Sequence, residues 1–355
     1  MFPIPTDLAD SIPGASGVAD ALASMLQRVD EVFRRELTSD LPPVRDLTSH
    51  VESYRGKMLR PTLVGLCGLA AHPAWERNPK ADPAAMLTDA HAVVAATVEM
   101  VHMATLVHDD VLDEADVRRR GRTVNRLYGN EPAVILGDYL IASAYHLCAS
   151  LPSPGPARAI GRAAMITAAG ELLQLHHRGN LSLDEPTYDE IIRGKTAELI
   201  ATACELGASL SGAGRGAGAA LADFGHAVGS AFQIQDDLLD LTGREAVVGK
   251  SVGKDLEKGK LTLPVIHHLR ACGPTRRGAS LALIGSFAEG RSSTGDPDMS
   301  RALLDAVRET GSIEYATARA RAHVEQAVRG LETLPVSPAR SVLEAMARAV
   351  VGRDH

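Results

Sequence analysis

The sequence predicts an all-α protein, a single large helical bundle, and three observations carry that expectation. Aromatic residues are only 3% of the chain, with one Trp, six Tyr and five Phe, so Ala, Leu, Val and Ile must build the core. Ala and Leu favour helices. Apolar residues recur at helical spacing along most of the length, and no convincing pair of strands emerges. Pro- and Gly-marked breaks between these stretches are mostly short, as helical bundles require.

Taken in order, residues 1–17 are rich in Pro, Gly and Ser and read as a flexible tail, and residues 18–355 form the domain. Leu22, Met25, Leu26, Val29, Val32 and Phe33 share one face of a helix over Val18–Leu37. Leu41-Pro42-Pro43 breaks it. Further helices fit Leu59–Ala71, Asp89–Asp116 and Asn130–Ser150, the last with Pro132 near its start. A loop at Leu151–Pro156 precedes helices over Ala157–His177, Tyr188–Ser211 and Ala219–Leu241. Gly243–Gly259 reads as a polar loop. Leu261–Ala271, Ser280–Glu289, Ser300–Thr310, Ile313–Leu331 and Pro338–Val351 complete the set. A length of 355 residues makes two domains the default, but the unbroken run of helices favours one.

Composition removes several classes. With 45% apolar and 23% charged residues the chain is neither disordered nor collagen-like. A net charge of −7 argues against a general nucleic-acid role. Cys67, Cys148, Cys204 and Cys272 are widely spaced among small or apolar neighbours, so free buried thiols are expected. No membrane span is expected, because the longest apolar stretch, Ala90–Val107, contains His91, Glu99 and His102. The first residues lack the basic start and apolar stretch of a signal peptide, so the expected location is cytoplasmic.

Two clusters of the form Asp-Asp-x-x-Asp stand out. Asp109, Asp110 and Asp113 end one apolar helical segment, and Asp236, Asp237 and Asp240 end another. The first and last members are four apart and share a helix face at about 5–6 Å. At an effective dielectric near 20 such a pair repels by roughly 3 kcal/mol. A divalent cation relieves that repulsion, and oxygen-only ligands suit Mg²⁺, which keeps several waters and also takes phosphates. The Gly and Glu spacing of a calcium loop and the thiolate or His spacing of a zinc site are both missing. Basic residues accompany the clusters: Lys57 and Arg60 upstream, Arg118, Arg119 and Arg120 after the first, Lys250, Lys254, Lys258 and Lys260 after the second. Carboxylates beside cations suit an anionic ligand bridged by metal.

These residues resemble the trans-isoprenyl diphosphate synthases, or polyprenyl synthetases. Arg55-Gly-Lys-Met-Leu-Arg-Pro61 is similar to the family's Gly-Gly-Lys-x-x-Arg-Pro, with Arg55 replacing the first Gly. His102, the two aspartate clusters, Lys195-Thr196, Gln233, Lys250 and Lys260 also match, and Arg118-Arg119-Arg120-Gly121 departs by one extra Arg. The resemblance implies the isoprenoid synthase fold with a central apolar cavity, and a homodimer. It implies Mg²⁺ as cofactor, three ions per active site, held by Asp109, Asp113 and Asp236, with Asp110, Asp237 and Asp240 in the same ligand clusters. Arg118, Lys195, Thr196, Gln233, Lys250 and Lys260 are then expected to bind the allylic diphosphate (dimethylallyl, geranyl or farnesyl). Lys57, Arg60, His102 and Arg119 are expected to bind isopentenyl diphosphate. Asp109, Asp113, Asp236, Lys195 and Lys250 carry the catalytic expectation. Ala104 and Val101, one to two turns before Asp109, are the expected chain-length residues. No aromatic occurs between Ala90 and Asp116, so a medium to long product is expected. The alternatives are a geranylgeranyl diphosphate synthase, a terpene cyclase, or a non-catalytic subunit. A cyclase needs no site like Lys57, Arg60 and His102, and a silent subunit should have lost aspartates that are present here.

Overall fold

The structure, a computed structural model, describes residues 12–78, 80–118, 121–243, 253–288 and 297–352. It is all-α apart from one two-residue hairpin, Val117–Arg118 (β1) with Gly121–Arg122 (β2), which sequence periodicity is too coarse to reveal. The long helices are α1 (Ala15–Leu37), α2 (Pro42–Val51), α3 (Leu59–Ala70), α4 (Asp89–Leu112), α5 (Asn130–Ala149), α6 (Gly155–His176) and α7 (Glu185–Ile192). They continue with α8 (Glu198–Leu210), α9 (Arg215–Thr242), α10 (Leu263–Ala271), α11 (Pro274–Ala288), α12 (Pro297–Glu309), α13 (Ser312–Gly330) and α14 (Pro338–Val351). Single-turn helices occur at Ala74–Arg77, Val124–Tyr128 and Lys254–Glu257.

Two expectations shift. Helix α1 begins at Ala15, inside the stretch read as tail. The Pro42-Pro43 pair opens α2 instead of only ending α1, because Pro in the first turn of a helix lacks only an N–H that has no partner there anyway.

The chain divides into two compact units. The first comprises residues 1–165, 199–225 and 330–346, and the second comprises 166–198, 226–329 and 347–355. In the first, α4 packs against α5, α3 and α1. The stripe Val18, Leu22, Met25, Val29 and Phe33 of α1 is fully buried, each side chain worth about 1.5–3 kcal/mol. Gly207 allows a close helix contact: a Cβ there would lie 2.2 Å from the Val64 carbonyl oxygen. His91 is buried at the start of α4, its Nδ1 accepting from the Thr88 N–H at 3.1 Å and its Nε2 paired with Ser211 Oγ at 3.0 Å. Burial pushes its pKa down to about 4. In the second unit, Ile191, Ile192, Leu238, Leu241, Leu263, Ile266, Val307 and Ala320 form one core. His268 is buried there between Thr310 and Ser280 hydroxyls at 2.9 and 2.8 Å.

All four cysteines are free and buried, as expected. By length and composition alone, α4 and α5 are both long and apolar enough to cross a membrane. The apolar stretch of α4 is 72% buried inside the protein, which makes it a core helix. Helix α5 buries Ala133, Leu136, Leu140, Ala144 and Leu147 and leaves Val134 and Ile135 exposed.

Candidate active site

Chemistry-bearing residues of the first unit gather around the end of α4 and the start of α3. Lys57 is exposed, while Arg60 and His102 are half-buried. Met58, just before α3, adopts left-handed backbone with φ of 52°, a conformation that costs a non-Gly residue about 1–3 kcal/mol. Arg55, the residue that departs from the family pattern, pairs with Asp30 of α1 and lies 4.6 Å over the Phe33 ring. Its charge is therefore committed to α1.

Helix α4 stops at Leu112, earlier than its apolar pattern suggested, because Glu114 turns left-handed, φ 49°, and the Glu114 and Ala115 N–H groups bond back to the Val111 and Asp110 carbonyls at 3.2 and 2.9 Å. The chain then reverses through β1. Arg118 returns to the helix end, with Nε at 2.9 and 3.0 Å from the two Asp110 oxygens and a guanidinium N–H nitrogen at 2.8 Å. Asp110 is buried, whereas Asp109 and Asp113 are half-buried. Burial pulls the Arg118 pKa down, but the bond and charge of Asp110 outweigh it and leave the guanidinium more firmly protonated.

In the second unit the helix after Ile192 widens into one π-turn over Arg193–Ala197, a distortion common at functional sites. Gly170 makes it fit: a Cβ there would meet the Lys195 backbone nitrogen at 2.6 Å. Lys195 thereby reaches Gln174 Oε1 at 2.9 Å and pairs with Glu171. Thr196 Oγ1 donates to Gln233 Oε1 at 2.8 Å, and Gln233 Nε2 donates to Asp237 Oδ1 at 2.8 Å, one turn further along α9. Tyr188 Oη donates to Asp237 Oδ2 at 2.6 Å. The segment after Gly253 folds onto the end of α9, with the Gly253 N–H on the Asp240 carbonyl at 3.0 Å and the Asp255 N–H on Asp240 Oδ2 at 3.1 Å.

These pieces enclose a cleft of ≈ 90 Å³ lined by Lys195, Thr196, Gln233, Asp237, Asp255 and Lys260, among others. Four residues expected at the allylic diphosphate thus share one space. Burial, then the Asp255 charge, push the Asp237 pKa up to about 8 against the pull of Tyr188 and Gln233. Burial also raises Asp240, opposed by the Asp255 and Lys254 N–H groups and by nearby lysines.

The middle aspartate of each cluster, Asp110 or Asp237, is buried and engaged by protein donors. Asp236 is exposed and Asp109, Asp113 and Asp240 are half-buried. Arg119 and Lys250 lie outside the described residues. Ala104 and Val101 are wholly buried in the first unit. Motif reading missed Tyr54, Tyr188, Gln174 and Asp255. The signal available was slight: a Tyr seven residues before Lys195 and an Asp five before Lys260.

The acidic clusters offer only oxygen donors, the kind a hard divalent cation takes, and among the described residues no three His, Cys, Asp or Glu side chains are grouped so as to hold a metal ion by themselves. Mg²⁺ characteristically takes one or two carboxylates and completes its shell with substrate phosphates and water.

The chain matches the polyprenyl synthetase family over residues 42–294. It is 32% identical over 337 residues to an octaprenyl diphosphate synthase of Escherichia coli (strain K12), covering 95% of this chain and 98% of the relative. Its fold matches a decaprenyl diphosphate synthase from Rhodobacter capsulatus with a TM-score of 0.84 and 33% identity, covering 95% and 98% of the two chains. A polyprenyl synthase from Caulobacter crescentus CB15, solved with calcium and isoprenyl diphosphate, matches with a TM-score of 0.82 and 30% identity, covering 96% and 98%. With that agreement in sequence and fold over nearly the whole chain, the protein is a prenyltransferase with the isoprenoid synthase fold and belongs to the polyprenyl synthetase family.

Proposed function

We propose that the protein joins isopentenyl diphosphate to an allylic diphosphate and releases a longer trans-polyprenyl diphosphate of medium to long chain, with Mg²⁺ as cofactor. The observation that carries this reading is the cleft of the second unit, where Lys195, Thr196, Gln233 and Lys260 line one space. Asp109 and Asp113 in the first unit, and Asp236 in the second, would each hold metal, which when bound neutralises charge on a departing diphosphate. Lys195 and Lys260, with Lys250, grip the oxygens of the allylic diphosphate, and Thr196 and Gln233 orient it. Lys57, Arg60, His102 and Arg119 hold isopentenyl diphosphate. The bond between allylic carbon and diphosphate oxygen breaks, the double bond of isopentenyl diphosphate attacks the cation, and a proton leaves to the released diphosphate. Buried apolar residues of α4 serve to exclude water from the cation.

Product length rests on the wall before Asp109. Thr97, Met100, Val101 and Ala104 are buried and Thr105 is half-buried, with no aromatic among them. The similarity to octaprenyl and decaprenyl diphosphate synthases supports the same direction. A homodimer in the cytoplasm completes the reading, and Val134 and Ile135, the latter 66% exposed on α5, supply an apolar face for a second copy. The deciding experiment incubates the protein with Mg²⁺, labelled isopentenyl diphosphate and dimethylallyl, geranyl or farnesyl diphosphate, then sizes the released alcohols. Chains longer than the farnesyl alcohol are expected. A cyclic hydrocarbon, or no elongation with any starter, overturns the reading.

A further inference from the structure

Each acidic cluster turns one carboxylate inward, and a buried tyrosine meets it there. In the second unit the contacts run from Thr196 Oγ1 to Gln233 Oε1, from Gln233 Nε2 to Asp237 Oδ1, and from Tyr188 Oη to Asp237 Oδ2, at 2.8, 2.8 and 2.6 Å. Both oxygens of Asp237 are thereby fixed. In the first unit the Tyr54 hydroxyl accepts from the Val124 N–H at 3.0 Å and donates to Asp110. Both tyrosines are buried, at 2% and 3% exposure.

We propose that Tyr188 and Tyr54 are positioning residues that fix the middle aspartate of each cluster and, through it, the helix turn that carries the other two. The inference rests on the proposed diphosphate chemistry. Residues one, three and four apart sit within about one turn of a helix. Fixing Asp237 therefore fixes the turn of α9 that also bears Asp236 and Asp240, and fixing Asp110 does the same for the end of α4 that bears Asp109 and Asp113. A carboxylate bonded at both oxygens has little rotational freedom left, so the helix turn that bears it is held as well. Tyr188 does more than Tyr54, because it stands seven residues before Lys195 and ties the start of the π-turned segment to α9.

The two clamps differ in redundancy. Without Tyr54, Asp110 keeps the forked Arg118. Without Tyr188, Asp237 keeps the one bond from Gln233. Tyr188→Phe is therefore expected to weaken site assembly about 10-fold, the scale of one buried hydrogen bond, and Tyr54→Phe less than about 3-fold.

The test measures Mn²⁺ binding by electron paramagnetic resonance with inorganic diphosphate present, alongside melting temperature and the separate KM values. Tyr188→Phe should lower Mn²⁺–diphosphate affinity and raise the KM for the allylic diphosphate about 10-fold, with the KM for isopentenyl diphosphate within about 2-fold. A folded Tyr188→Phe that binds Mn²⁺ and diphosphate as the unaltered protein does overturns the inference. Asp237→Asn and Asp237→Ala provide a second arm that does not depend on the tyrosine variant. Asn keeps an acceptor for Tyr188, so it should lose clearly less affinity than Ala, and equal losses mean that Asp237 is itself a ligand. If the unaltered protein neither binds Mn²⁺ with diphosphate nor elongates a starter, the functional reading fails first. If it does both while the variants are indifferent, only the positioning role fails.

Discussion

The two acidic clusters share a sequence pattern and differ in what holds their inward carboxylate. Asp110 is gripped by a guanidinium, brought back over the helix end by a left-handed turn at Glu114 and a two-residue hairpin. Asp237 receives neutral donors, Tyr188 and Gln233, and lies near a second acid, Asp255. The first cluster balances charge with charge. In the second, burial and the neighbouring Asp255 favour the neutral form of the inward carboxyl up to about pH 8. Identical motifs can therefore carry different electrostatic duties, and the duty is set by residues outside the motif.

The largest expected effects break both clusters at their outward members. Asp109→Ala and Asp236→Ala should each lower turnover by more than about 100-fold, the scale of losing a strong electrostatic stabiliser. Steady-state turnover at saturating Mg²⁺ measures it, and near-normal activity in either variant removes that cluster from the chemistry.

A smaller effect separates the substrates. Arg60→Ala should raise the KM for isopentenyl diphosphate by about 10-fold or more while the allylic KM moves little. Lys195→Ala should show the reverse. Equal shifts in both constants would erase the division of labour between the two units.

Ala104→Phe tests the wall beside the first cluster. Ala104 is fully buried, so an inserted ring must block or strain its surroundings. The product is expected to shorten by one or more isoprene additions. An unchanged distribution from an active, folded variant places the growing tail elsewhere.

The gentlest probe is the pH dependence of stability without metal. Asp237, at about 8 when folded, holds a proton that the unfolded chain releases near its ordinary value of 3.8, so its stabilisation is complete below that value and is lost as pH rises towards 8. His91 has the opposite sign. Its pKa of about 4 lies below the ordinary 6.5, so stability falls as pH drops between the two. The slopes oppose each other up to about pH 6.5, and above it Asp237 alone contributes a decline of at most about 1.4 kcal/mol per pH unit. Denaturant midpoints at pH 6.5 and 8 in chelator measure this, and Asp237→Asn should flatten the decline. A decline unaltered in that variant assigns it to another group.

Sequence periodicity made the long helices legible because one face of each must be buried. It missed Val124–Tyr128 and Ala74–Arg77, which are too short to express a period, and the π-turn at Arg193–Ala197, where the period itself changes. The outward aspartates, Lys195, Thr196, Gln233 and Lys260 were legible as motif members. Tyr54 and Tyr188 were not, since a buried tyrosine looks like any core aromatic until its hydroxyl partner is known. The inward turn of Asp110 and Asp237 was equally hidden, because four-residue spacing pairs the outer members and says nothing about the partner of the middle one.

One Mg²⁺ titration of turnover for Asp109→Asn, Asp236→Asn, Asp110→Asn and Asp237→Asn, each paired with its melting temperature, tests the proposed division between outward carboxylates that hold metal and inward ones that brace the helix ends. The two outward variants are expected to lose more than about 100-fold in turnover at native melting temperature. The two inward variants are expected to lose several degrees of melting temperature, because a buried partner is left unpaired, and to lose less turnover when assayed well below melting. An inward variant that melts normally yet loses as much turnover as Asp109→Asn, or an outward variant that retains near-normal turnover, would contradict that division.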